Sequence, residues 1–199
     1  MEGSRTPVRE SIEFARIVAF TDGVFAIAIT LLVLSLEVPS DLQASALHAF
    51  LIDSWPQLFA YFLSFAVIGR FWIGHHHVFS MLQDFDRRLI VLNLAYLSMI
   101  VLVPFPTELL GEYGGGSDAV VLYALVVGTA ALLGWVMLRY ALRHGHVRPE
   151  ARAEAAGIPA RLLLPAIVFY ASIPLSFLSP ETAQLVWVGL LLDAFWRRG

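Results

Sequence analysis

Six apolar runs, each about as long as a bilayer's hydrocarbon core requires, alternate with gaps that are either rich in arginine or free of it. A core about 30 Å thick takes roughly 20 mainly apolar residues per helix. By that ruler the sequence predicts spans over about 14–36, 55–81, 89–110, 119–142, 160–178 and 181–196. Of the 199 residues, 58% are hydrophobic and only 15% charged, with a mean hydropathy of +0.73. A water-soluble domain carries nearer a quarter charged residues, so most of this surface needs lipid as its solvent. The expected fold class is all-α: a polytopic, multi-pass membrane protein with 1–13 as an N-terminal segment and 14–199 as one six-helix domain. No tandem repeat interrupts it.

The arginines orient these runs. There is no lysine, so all 13 basic residues are arginine. Arg5, Arg9 and Arg16 precede or open the first run, and Arg87 and Arg88 separate the second from the third. Arg139, Arg143, Arg148, Arg152 and Arg161 surround the fourth connection, and Arg197 and Arg198 end the chain. In a six-span chain these all fall on one side, while "EVPSDLQASALHAFLIDS", "GEYGGGSD" and "SPE" on the other side hold acids and no arginine. The positive-inside rule then expects N-in and C-in, both termini in the cytoplasm. One arginine is left over from this pattern, Arg70, well inside the second run. Turn chemistry supports the breaks: Ser117 is expected to cap the fourth span, and Ser179 with Pro180 to open the sixth. Pro104, Pro106, Pro165 and Pro174 fall inside or near span ends, where neighbours can satisfy the freed carbonyls. The first run outlasts a signal peptide's apolar core and ends in "LEVP" rather than at a small-residue cleavage site, so it is expected to remain. Abundant alanine, glycine and arginine suit a bacterial chain, whose plasma membrane is the expected location.

Several chemistries are excluded. Without cysteine there is no disulfide, thiolate metal site or catalytic thiol. The net charge of −3, with no basic tail, gives nucleic acid no footprint. His75, His76 and His77 are consecutive, so on a helix they point about 100° apart and do not converge on one metal. No nucleophile–base order, phosphate loop or acid pair stands out, and no enzyme is expected.

The first run nevertheless carries polar groups. Asp22 lies about 9 Å deeper than Arg16 along a helix. The antiparallel second run brings "RFWIGHHHVF" to a similar depth. Ionisable residues within a membrane are costly and find partners, so Asp22 is expected to meet Trp72 or a histidine, and Arg16 an acid or a carbonyl. Such a network either locks two helices together or serves a transport path. Deeper in, Ile27, Thr30, Leu31 and Leu34 share one helical face. That face is either ordinary packing, with Thr30 bonded back to its own helix, or the lining of a pore whose apolar rings gate by dewetting.

"RIVAFTDGVFAIAITLLVL" resembles the R-x-x-x-F-S-D helix of the transmembrane protein 175 family, with Arg16, Phe20 and Asp22 at its fixed positions and Thr21 in place of serine. Trp72 with His75 to His77 matches the family's second helix. The resemblance is specific over the first helix, fair over the second and topological beyond about residue 90. It implies a potassium channel, a homotetramer in the lipid bilayer with the first helix around the axis, conducting monovalent cations without a cofactor beyond the permeant K+. It further implies a bottleneck at Ile27 with constrictions at Leu31 and Leu34, and a hydroxyl layer for ion selectivity at Thr30. A supporting network would recruit Arg16, Phe20, Thr21, Asp22, Trp72 and one of His75, His76 and His77. Two other classes stay open: a proton-coupled secondary transporter, and a non-conducting membrane scaffold.

Overall fold

The computed structural model describes residues 7–196, with side chains over 12–192. Residues 1–6, the side chains of Arg5 and Arg9, and Arg197 and Arg198 lie outside the described residues. The first run is a single helix, α1 (Pro7–Leu31), which tightens into a 3₁₀ turn over Leu32–Ser35. A 3₁₀ turn advances by 120° rather than 100° per residue, so Leu34 is rotated from the position an unbroken α-helix would give it.

The arginine-free connection that follows is not plain loop. It contains a 3₁₀ turn and a short helix, α2 (Leu47–Asp53), none of whose residues is buried. Seven residues are too few to register as a span, which is why the apolar ruler passed over them. Next come α3 (Trp55–Ser80), α4 (Arg87–Leu102) and α5 (Pro104–Tyr113). The third expected span is therefore two helices. Pro104 and Pro106 bring no N–H to a ladder, and Val103 N–H bonds three residues back to Ile100 O at 3.2 Å. Asp86 caps α4, its Oδ1 accepting from Leu89 N–H at 2.7 Å.

α6 (Ser117–His144) begins one residue earlier than expected of a Ser117 cap. Gly116 holds the cap position, and the Ser117 hydroxyl instead donates to Ser176 O at 3.0 Å. At its far end Gly145 takes a left-handed conformation, φ 81°, which a residue without Cβ adopts freely. After α7 (Arg152–Gly157), α8 (Pro159–Ser176) runs straight through Pro165 and Pro174. α9 (Pro180–Trp196) opens as expected, with Thr182 N–H donating to Ser179 Oγ at 3.2 Å.

Two apolar clusters hold the bundle. The larger gathers Phe25 and Ala28 of α1 and Leu32 of the turn after it with residues of α3, α4, α5, α6, α8 and α9. Within it Trp187 is wholly buried, its ring 5.0 Å from Tyr123 and 5.2 Å from Phe169, and its Nε1–H donates to Ser172 Oγ at 2.9 Å. The smaller, at the arginine-rich end, joins Val78, Phe79, Leu89 and Met137. Among the described residues five helical segments are long and apolar enough to cross a membrane. The sixth expected span, α9, has 17 residues and reaches about 26 Å at 1.5 Å per residue, just short of that length.

Candidate functional site

α1 has two unlike faces. Thr21, Phe25, Ala28 and Leu32 are buried against the bundle. On the opposite side Phe20, Thr30 and Leu31 are exposed, Ile27 is 59% exposed and Leu34 67%. The Thr30 hydroxyl donates to Ile27 O at 2.8 Å, which occupies its hydrogen and leaves its oxygen lone pairs uncommitted. Arg16 lies on this exposed face as well, and no polar partner for it is found among the described residues.

The buried face is pinned by polar contacts near the arginine-rich end. Trp72 Nε1–H donates to Asp22 Oδ1 at 2.9 Å, so of the two partners open to Asp22 the indole takes the bond. Beside it, Asn93 of α4 joins two helices. Its amide donates to Thr21 Oγ1 at 3.0 Å, and its Oδ1 accepts from His75 Nε2 at 2.9 Å. His75 is buried among rings, 3.8 Å from Phe79 and 5.3 Å from Tyr96 between centroids. A buried polar group costs free energy unless bonded, and here amide, hydroxyl and imidazole satisfy one another.

The three histidines part company, as consecutive helical residues must. His75 points inward, and His76 is exposed with its ring 5.7 Å from Trp72. His77 lies 3.2 Å from a Glu154 carboxylate oxygen. No cluster of three or more metal-ligating side chains occurs among the described residues.

A second polar group ties the 81–86 connection to the turn after α6. Gln83 N–H donates to His146 O at 2.9 Å, Arg148 N–H to Met81 O at 3.0 Å, and the Arg148 guanidinium to Ser80 O. His146 Nδ1 lies 2.5 Å from Asp84 Oδ1, and Tyr140 donates to Asp86 Oδ2 at 2.5 Å. Burial pushes the Asp86 carboxyl up, but bonds from Tyr140 and Leu89 N–H, with His146 nearby, outweigh it and hold it below its ordinary value. Sequence reasoning missed Asn93 and this cluster. A lone amide in "VLNLAYL" was the available signal for the first; the second depends on a chain reversal that no local pattern encodes.

A family model described as the endosomal/lysosomal potassium channel TMEM175 matches residues 16–104, which hold α1 from Arg16 onward, α3, α4 and their polar contacts. A protein of Streptomyces collinus named a potassium channel is 39% identical over 173 residues, 84% of each chain. The crystal structure of a lysosomal potassium-selective channel TMEM175 homolog from Chamaesiphon minutus superposes with a TM-score of 0.81 at 32% identity, covering 93% of this chain and 97% of that one. A Gallus gallus protein named an endosomal/lysosomal proton channel TMEM175 is 30% identical over 90% of this chain and 40% of its own length.

Proposed function

This chain belongs to the TMEM175 family of ion channels, and from that premise we propose that it is a potassium-conducting channel whose pore is lined by α1 in a homotetramer. The observation that carries the reading is the exposed face of α1. Ile27 and Leu34, 59% and 67% exposed, sit beside Thr30 on a helix whose other side packs Thr21, Phe25 and Ala28 against the bundle. Four such faces around an axis cover that apolar surface and enclose a conduit. Ile27, Leu31 and Leu34 form its constrictions, narrow and oily enough to gate by dewetting.

Thr30 supplies the selective layer. Its hydrogen is held by Ile27 O, so lone pairs are available to a dehydrating K+. A single hydroxyl ring offers fewer oxygens than a carbonyl filter, and the preference over sodium is modest. The contacts of Asp22, Thr21 and Asn93 hold α1 in register, with Arg16 and Phe20 at the mouth on the exposed face. α9 completes six spans, anchored by buried Trp187, and both termini are cytoplasmic in a bacterial plasma membrane. The permeant ion needs no cofactor.

Purified protein in liposomes tests this. A potassium gradient should drive flux that is unsaturated by concentration and not driven by a pH gradient. The vertebrate relative's name favours a second reading, proton permeation, and proton flux measured in the same vesicles separates the two. Saturable, pH-coupled flux would instead indicate a secondary transporter, and no flux a scaffold.

A further inference from the structure

At the arginine-rich end of the bundle the 81–86 connection is laced to the turn after α6. Gln83 N–H donates to His146 O, Arg148 N–H to Met81 O, and the Gln83 side-chain amide to Gly145 O at 2.9 Å. The His146 ring stands between two carboxylates of that connection, Nδ1 2.5 Å from Asp84 Oδ1 and Nε2 3.6 Å from Asp86 Oδ2. Phe85, the residue between those acids, packs its ring 4.9 Å from Phe14 of α1 and 5.1 Å from Phe79 of α3. We propose that His146 is a proton-operated clasp: charged, it holds Phe85 against the start of α1 and keeps the pore mouth open; neutral, it lets go. Its hold on conduction rests on the reading of α1 as the pore lining.

Only the charged imidazole carries a hydrogen on both ring nitrogens. The imidazolium therefore serves Asp84 and Asp86 together. A neutral ring serves one acid, and its bare nitrogen lone pair then faces the other carboxylate. Nε2 is where the charge matters. It is buried, makes no hydrogen bond among the described residues, and is joined to Asp86 by attraction across 3.6 Å alone. The ring is only 12% exposed, so water does not readily replace either partner. Histidine is the side chain whose charge ordinarily changes between about pH 5 and 8, and the clasp weakens as pH rises through that interval.

Other charged groups face the ring from neighbouring elements. Glu13 of α1 and Arg87 of α4 border the cavity beside it. Tyr140 of α6, its ring 5.8 Å away, donates to Asp86 with Arg88 close by. Arg148 turns its guanidinium to Ser80 O, and arginine keeps its charge throughout. His144, the other imidazole here, has Nδ1 3.0 Å from Tyr140 O of its own helix. Among the described residues His146 alone is ion-paired with both acids.

Phe14 gives the clasp its purchase on α1. It lies seven and eleven residues before Thr21 and Phe25, on the side of α1 packed against the bundle. A ring held there draws the start of α1 toward its own bundle and away from the axis that the open face lines. A cavity of about 620 Å³, bordered by Phe14, Ile17 and Phe85, gives Phe85 room to withdraw. Release frees that end of α1 to lean inward and narrow the mouth.

Potassium flux in liposomes, with equal pH on both faces so that no proton gradient drives it, is read beside hydrogen–deuterium exchange of the Gln83 and Arg148 amides. Rates are compared with those of His146→Gln at each pH, which cancels the intrinsic pH dependence of exchange. Wild-type amides should be protected about ten-fold more at the acid end of the interval than at the alkaline end, the size of one charge-assisted bond, and flux should rise with protection. Asp84→Asn, at an exposed position, should shrink both dependences, and His146→Gln should show no pH dependence of flux. Equal protection across the interval, or flux that still follows pH in His146→Gln, would overturn the clasp. Protection that titrates while flux stays level would overturn its hold on α1. Titrating protection with no potassium flux at any pH would instead strike the pore reading and leave the clasp standing.

Discussion

The two faces of α1 are built from similar residues and do opposite things. Thr21, Phe25, Ala28 and Leu32 are buried, while Phe20, Ile27, Thr30 and Leu34 are open. Each face has one threonine among apolar side chains. Thr21 accepts a bond from Asn93 of another helix, whereas Thr30, among the described residues, bonds within its own helix to Ile27 O. The difference is where the hydroxyl finds its partner. A threonine tied across helices fixes position; one tied within its helix keeps oxygen lone pairs for something outside the chain. Stability should therefore belong to the first face and permeation to the second.

Substitutions can break or sharpen that division. The largest effect is expected from Ile27→Asn on the open face. Wetting the bottleneck should raise single-channel conductance about ten-fold if it removes about 1.4 kcal/mol of barrier, with the thermal midpoint unchanged. An unaltered conductance would remove Ile27 from the pore. On the buried face, Asn93→Leu strands Thr21 and His75 together and should cost about 1–3 kcal/mol, read as a lower unfolding midpoint of the detergent-solubilised assembly. A change in ion preference without loss of stability there would blur the two faces.

Asp22→Asn is expected to be milder. The amide oxygen still accepts from Trp72, and the loss is the difference between a charge-assisted and a neutral bond, about 1 kcal/mol. Yield of intact assembly should fall while the potassium-to-sodium permeability ratio holds. Thr30→Val should do the reverse, lowering that ratio while leaving the midpoint in place; an unchanged ratio would refute the hydroxyl layer.

The smallest effect concerns the connection outside both faces. The Asp86 carboxyl is held below its ordinary value, so its contribution to stability is present above that value. It is lost as pH falls through the lowered one. Asp86→Asn should flatten the acid limb of a stability–pH profile; an unchanged limb would show that other carboxylates set it.

Much of this was legible in the residues. Apolar run length located every long helix, and the spacing of Ile27, Thr30, Leu31 and Leu34 located a shared face, because both are periodic properties of one segment. What periodicity leaves open is which side of a helix meets the bundle. The buried contacts of Phe25 and Leu32 decide that, and they come from distant parts of the chain. Asn93 was invisible for the same reason, since its two partners lie 72 and 18 residues away. The break at Val103 was only half readable. Proline marks a weak point in the ladder, yet α8 passes Pro165 and Pro174 without breaking, so neighbours decide the outcome.

The most direct test of the open face as a pore lining is thiol accessibility during conduction. Leu34→Cys, the sole thiol in the chain, would be exposed in potassium-loaded liposomes to a cationic, membrane-impermeant thiol reagent. Progressive block of potassium flux is the expected result. A thiol that stays unmodified while flux continues at full rate would place that face in lipid and contradict the account.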